Sequence, residues 1–267
     1  MKNWIIIFSL FAMSCETILE VDVPTIPEKP VLYASFSSLN LFHKIDLTMS
    51  RPLVNNSTSA EFDQVQNAVV EVIGNGKTYS FSYSEEGYKN SAPFDLNPGE
   101  TYTITAKLAT GEIVSSQQKM LFAPANLSVF IDSSESDWGS QYNLEMKWND
   151  NPNEVNFYRV EAFSSFDDDT TQIFIPQEFF DDTKANNGVF QLKTELFAFI
   201  YDENGKRDDF ELFVVVSQVS EEHYNYGITL QNYNPQNPFS EPKPLPNNVE
   251  GGLGMFTLSG ARIEKIR

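Results

Sequence analysis

VVEVIGNGKTYSFSYS, residues 69–84, decides the fold class. Apolar and polar side chains alternate on both sides of Gly74-Asn75-Gly76. Strand residues face opposite sides of a sheet in turn. An Asn-Gly pair between two such runs is the strongest short-range hairpin signal. Downstream, FDLNPGETYTITAKLATGEIVSSQQKM (94–120) repeats the pattern, with a turn at Asn97-Pro98-Gly99, strict alternation through TYTITAKL, and a second turn at Thr110-Gly111. Upstream, VLYASFSS (31–38) and HKIDLTMSRP (43–52) are rich in alternating and β-branched residues. GYKN (87–90) reads as a connection. Short strands separated by turns every ~8–12 residues predict an antiparallel sandwich.

FAPANLSVF (122–130) crosses into a second unit, with strand candidates LSVFID (127–132), YNLEMKWND (142–150), NFYRVEAFSS (156–165) and TQIFIPQ (171–177). FELFVVVSQVS (210–220) is the most apolar run and predicts a central strand. In SEEHYNYGITLQNYN (220–234), Ser220 followed by two glutamates predicts a helix start, and Gly227 shortens the expected helix. The Asn/Asp clusters at 148–153 and 181–188 read as turns. NNVEGGLGMFTLSGARIEKIR (247–267) reads as a glycine-rich turn and a closing strand. The expected chain is all-β: an immunoglobulin-like antiparallel sandwich over residues 25–122, then a β-rich domain over 123–267 with one short helix.

The start of the chain predicts location. Lys2 precedes a ten-residue apolar run, WIIIFSLFAM (4–13), which ends at Ser14-Cys15. A bilayer-spanning helix needs about 20 apolar residues, so the run fits a secretory signal instead. Ala12-Met13-Ser14-Cys15 resembles a bacterial lipobox, and Cys15 is the only cysteine in the chain. A free thiol is a liability in an exported protein, whereas a thiol that carries diacylglycerol is an anchor. Several acyl chains at ~0.8 kcal/mol per buried CH₂ give firm attachment. Residues 1–14 are expected to be a signal peptide. Residues 15–30 are expected to be a lipidated, acidic, proline-bearing tether, in which Ile18, Val21 and Val23 have strand character.

Charge narrows the partners. Without Lys2, 17 cationic side chains stand against 37 anionic ones, a net of −20. Nucleic acid is excluded, because phosphate binding is driven by Lys and Arg. Anionic membrane is disfavoured as a peripheral partner, so the lipid must provide the anchoring. With 41% hydrophobic residues and no second cysteine, stability rests on a packed core.

No catalytic or metal motif stands out. His43 lies in a strand run and His223 in the expected helix, without metal-ligand spacing. No serine occupies a Gly-x-Ser-x-Gly elbow. Asp167-Asp168-Asp169 and Asp181-Asp182 carry calcium-type oxygens but lack EF-hand spacing, so solvated loops are expected. Gly74 to Lys77 lacks phosphate-loop spacing, and Gly251 to Gly254 precedes a strand, where a bulge or positive φ suits glycine. Phe179, Phe180, Tyr224, Tyr226 and Tyr233 are the aromatic residues expected either to pack in the core or to present faces to a sugar ring or partner protein. The loops around 166–188 and 231–250 are the first places to seek a binding surface.

Three stretches together resemble a known family: CETILEVDVP at the lipidation site, the frame NAVVEVIGNGKTYSF…PGETYTITAKLATGEIVSS, and NPFSEPKPLPNNVEGGLGMFTLSG near the end. They are similar to the Bacteroidota lipoproteins of domain of unknown function 4249. Members are often encoded beside TonB-dependent receptors, which implies a role in nutrient uptake or another receptor-linked envelope process. The family has no established catalytic residues. The resemblance carries over Cys15 as the lipidated residue, and Asn237-Pro238-Phe239, Glu241-Pro242 and Gly251-Gly252-Leu253-Gly254 as a signature. The acidic residues Glu16, Glu20 and Asp22 are interrupted by Ile18, Leu19 and Val21, which departs from a compact surface-export signal.

The expected function is therefore that of an outer-membrane lipoprotein, on the periplasmic or the surface face, acting as a non-enzymatic accessory or binding subunit of a TonB-dependent transporter or related envelope complex. No cofactor or metal is expected, and the ligand is left open. The alternatives are a hydrolase using paired carboxylates such as Asp168 and Asp182, and a structural envelope lipoprotein without a ligand.

Overall fold

The computed structural model describes residues 27–51, 62–136, 139–150, 153–166, 171–198, 210–233 and 243–266. Cys15, the lipobox and the 18–23 segment lie outside these residues, as do Asp167 to Asp169, Asn237-Pro238-Phe239 and Glu241-Pro242.

The first unit contains β1 (Pro30–Ser37), β2 (Lys44–Met49), β3 (Val69–Gly74), β4 (Lys77–Ser84), β5 (Gly87–Asn90), β6 (Thr101–Lys107) and β7 (Ile113–Lys119). The quoted hairpin forms as expected, Val70 opposite Phe81 and Gly74 opposite Lys77, with Asn75 and Gly76 both at positive φ. GYKN, expected as a connection, is the short strand β5, which bridges β2 and β4. Alternation buries Leu32, Ala34 and Phe36 of β1 against Val70, Val72, Tyr102 and Ile104.

The second unit begins with β8 (Ala125–Ser136) and β9 (Gly139–Asn149), followed by β10 (Phe157–Phe166) and β11 (Thr171–Asp181). A 3₁₀ turn (Asp182–Lys184), β12 (Val189–Ala198), β13 (Phe210–Val219) and helix α1 (Glu221–Gln231) complete it up to the last strand, β14 (Leu253–Lys265). β12, β9 and β8 form one sheet. β11, β10, β13 and the second half of β14 form the facing layer. Trp148, Tyr158, Phe190, Val160 and Val214 fill the space between them. β13, the most apolar run, is central as expected, between β10 and β14.

β14 departs from the sequence reading, which places it within the second domain. Its residues 253–259 pair in parallel with β1, Val31 opposite Leu253 through Ser37 opposite Ser259. From Gly260 onward it pairs antiparallel with β13. One strand thus completes both units, and the main-chain ladder runs through eleven strands without a break. The bridge between Ser115 of β7 and Glu250 then closes the first unit on itself. Gly254 makes the close pairing possible. It sits at φ +129°, and any Cβ there would overlap the Leu32 carbonyl.

Candidate functional site

The aromatic residues singled out in the sequence do not form one surface. Phe179 and Phe180 are neighbours on a strand, so they face opposite sides. Phe180 is buried in the second core, with Lys184 over its ring at 4.5 Å. Phe179 is half-buried beneath α1, edge-on to His223 at 5.5 Å. Tyr224 packs on Phe157 at 4.8 Å, and Tyr226 reaches across to Tyr33 of the first unit at 6.1 Å. Of the five, only Tyr233 is exposed. As a ligand-binding patch the group is therefore corrected: Phe179, Tyr224 and Tyr226 hold α1 to the sheet, and Phe180 packs in the second core.

α1 forms because Ser220 caps it, its hydroxyl accepting from the His223 N–H, with Glu221 and Glu222 in the first turn. His223 and Gly227, one turn apart, face the sheet. Beneath the helix lies Arg159, almost fully buried, whose guanidinium pairs with Glu161 at 3.2 Å. Burial, reinforced by the charge of Arg159, pushes His223 down to about 3, so it stays neutral across the physiological range. Burial likewise pushes His43 down to about 4, where it stacks between Phe36 and Phe94 at 4.4 and 4.8 Å. Both histidines are buried.

A groove of about 490 Å³ opens where the two units meet. One wall is the connecting segment Lys119 to Ala125, which presents Phe122 to solvent. The other wall is polar and belongs to the second unit: Asp150, Glu154, Asn156, Tyr158 and Gln218. Its groups are held by one another. The Tyr158 hydroxyl donates to buried Asp150 at 2.7 Å, Gln218 donates to Asn156 Oδ1 at 2.6 Å, and the Asn156 N–H donates to Asp182 at 3.0 Å. Burial, the bond to Asp150 and the charges of Asp150 and Asp182 raise the phenol pKa of Tyr158. The wall is preorganised and acidic, suited to hydrogen-bonding an uncharged or cationic group. Asp182, the candidate acid, orients backbone here; its expected partner Asp168 lies outside the described residues.

Sequence reasoning missed this groove. Asn149 and Asp150 were read as turn residues, and Tyr158 and Gln218 lie in strands whose pattern signals only packing. A second concavity, about 380 Å³, lies on the three-stranded sheet between Phe130, Asp132, Glu145, Lys193 and Glu195. Among the described residues, no group of three or more His, Cys, Asp and Glu is placed to hold a metal ion, and no helix is long and apolar enough to cross a membrane.

Comparison with known proteins adds a family. A search of curated proteins finds no match. Among solved structures, the chain is similar to the crystal structure of a DUF3823 family protein from Parabacteroides merdae, at 14% identity and a TM-score of 0.20, covering 72% of this chain and 90% of that one. The model of the family described as Domain of unknown function (DUF4249) matches residues 16–263. With nearly the whole length matched, the chain belongs to the DUF4249 family.

Proposed function

We propose that this protein is a lipoprotein anchored in the outer membrane through Cys15, serving as a non-enzymatic accessory or binding subunit of a TonB-dependent transporter or related envelope complex. The observation that carries the binding reading is the preorganised groove at the junction. Its walls come from both units, and the shared strand β14 fixes those units to each other. A site whose polar groups are already oriented loses little entropy when it captures a ligand. The anchor reading is supported by Cys15 itself, the only thiol, placed directly before the residues that match the family. The groove's carboxylates serve in hydrogen bonding rather than as a pair poised over one bond, which favours capture over hydrolysis.

A mild-detergent pull-down of the tagged, membrane-extracted protein, read by mass spectrometry, tests the reading. A stoichiometric TonB-dependent receptor is expected, and Cys15→Ala is expected to release the protein from the membrane. Recovery of the protein alone would remove the accessory role, and unchanged membrane retention of Cys15→Ala would remove the anchor.

A further inference from the structure

Sheet edges present unpaired N–H and C=O groups, and proteins guard them with proline, lysine, bulges or covering segments. The described strands leave four edges: β7, β11, β12 and β8. β7 is covered by Glu250, which exchanges two backbone hydrogen bonds with Ser115 at 3.0 and 2.8 Å. β11 carries Pro176, which has no N–H, and its register with β10 shifts twice. β12 carries exposed Lys193 at its middle. β8 is the exception. It is twelve residues long, contains no Lys, Arg or Pro, and among the described residues pairs only with β9. Its one irregularity lies at its start, between Ala125 and Ser128, which leaves Ser128 to Ser136 in unbroken register. Residues 130–134 are exposed on both faces, Phe130 at 58% among them.

We infer that β8 is a docking edge that takes up an extended, Lys/Arg-bearing segment of a partner protein as an added strand. The inference deepens the accessory-subunit reading and rests on it for the existence of a protein partner. Strand addition draws affinity from main-chain hydrogen bonds and specificity from places for alternate side chains. The concavity on the face of this sheet, where Phe130 and Asp132 of β8 adjoin Glu145 of β9, supplies those places. Its charge sets the sign. Lys147 and Lys193 are both committed to Glu145, at 2.6 and 3.6 Å, and among the described residues no cation pairs with Asp132. What remains for a newcomer is negative. A second copy of this chain, at −20 without its signal, is repelled, whereas a basic strand is attracted.

The test uses the full-length, detergent-solubilised protein and fluorescent ten-residue peptides that alternate Val or Thr with Lys, with Glu, or with Lys around a central Pro. Fluorescence anisotropy is expected to show micromolar binding of the Lys peptide, with both others weaker by about tenfold or more. Hydrogen exchange is expected to slow across 128–134 when it binds. Phe130→Lys, at an exposed position, is expected to weaken the Lys peptide about tenfold, and Asp132→Lys to shift preference towards the Glu peptide. Ile73→Lys, at an exposed position on β3 of the first unit, should change nothing. Absence of Lys-peptide binding, equal binding of the Lys and Glu peptides, or protection elsewhere than 128–134 would overturn the inference. The two readings fail separately. A receptor that co-purifies equally with wild type and Phe130→Lys leaves the accessory role standing and removes the β8 edge. If wild type brings down no receptor, the accessory role falls, while the peptides still decide the edge.

Discussion

Replacing Gly227 with alanine should destabilise this protein, although alanine is the better helix former. Gly227 sits in the middle of α1, where Gly→Ala ordinarily gains ~1 kcal/mol. Here the added methyl would lie 2.6 Å from Phe179 Cδ2 and closer still to two other ring atoms, against ~3.5–4.0 Å for favourable carbon contact. The ring must move by about an ångström, and His223, edge-on to it at 5.5 Å, limits that movement. Overpacking of this kind costs ~1–3 kcal/mol. The difference leaves a net loss of about 1 kcal/mol, or ~2–4 °C in Tm for a chain of this size. Removing the obstacle should invert the sign: in a Phe179→Ala background, Gly227→Ala should stabilise by ~1 kcal/mol, a coupling near 2 kcal/mol. Urea titrations of the four proteins followed by circular dichroism measure it. A Gly227→Ala protein more stable than wild type, or equal effects in both backgrounds, would refute the packing argument.

Three further outcomes are expected. Gly254→Ala places a Cβ into the Leu32 carbonyl at a φ of +129°, so it should cost ~3 kcal/mol or more and lower the denaturant midpoint, where Gly76→Ala, with open space around it, costs only its turn strain. Tyr158→Phe leaves buried Asp150 without its donor and should cost ~1–3 kcal/mol; an unchanged midpoint would mean that water replaces the hydroxyl. His43 titrates near 4 when folded against 6.5 ordinarily, so the unfolded chain takes the proton first as pH falls. The stability it contributes is complete above pH 6.5 and is lost as pH drops towards 4, by about 3 kcal/mol, and His43→Phe should flatten that slope in a pH series of urea titrations.

Much of the fold was legible because local signals agreed. The Gly74-Asn75-Gly76 turn, the alternation of β6, the apolar run of β13 and the Ser220 cap each act over a few residues, and each formed where the pattern placed it. β12 was missed although Gln191, Lys193 and Glu195 alternate with Phe190, Leu192 and Leu196. The pairing of β14 with β1 was beyond reach. It joins residues more than two hundred positions apart, and nothing local to either strand names its partner. The candidate site was less legible still. Phe179 and Phe180 were singled out for being aromatic, yet strand geometry alone sends them to opposite faces. Gly227, one turn after His223, was the better signal: a glycine inside a helix marks the face where something bulky approaches. The groove residues Asp150, Asn156 and Gln218 gain meaning only from the meeting of two units.

The parallel seam between β1 and β14 also has a mechanical reading. A pull between the segment before Pro30 and the second unit enters β1 at its N-terminal end and leaves β14 at its C-terminal end. In a parallel pair these are opposite ends, so the load is shear. The seven residue pairs from Val31–Leu253 to Ser37–Ser259 would bear it together rather than unzip one by one. A protein tethered at its start and tugged by a partner at its far unit would thus stay closed under strain, and its final strand would serve as the clasp.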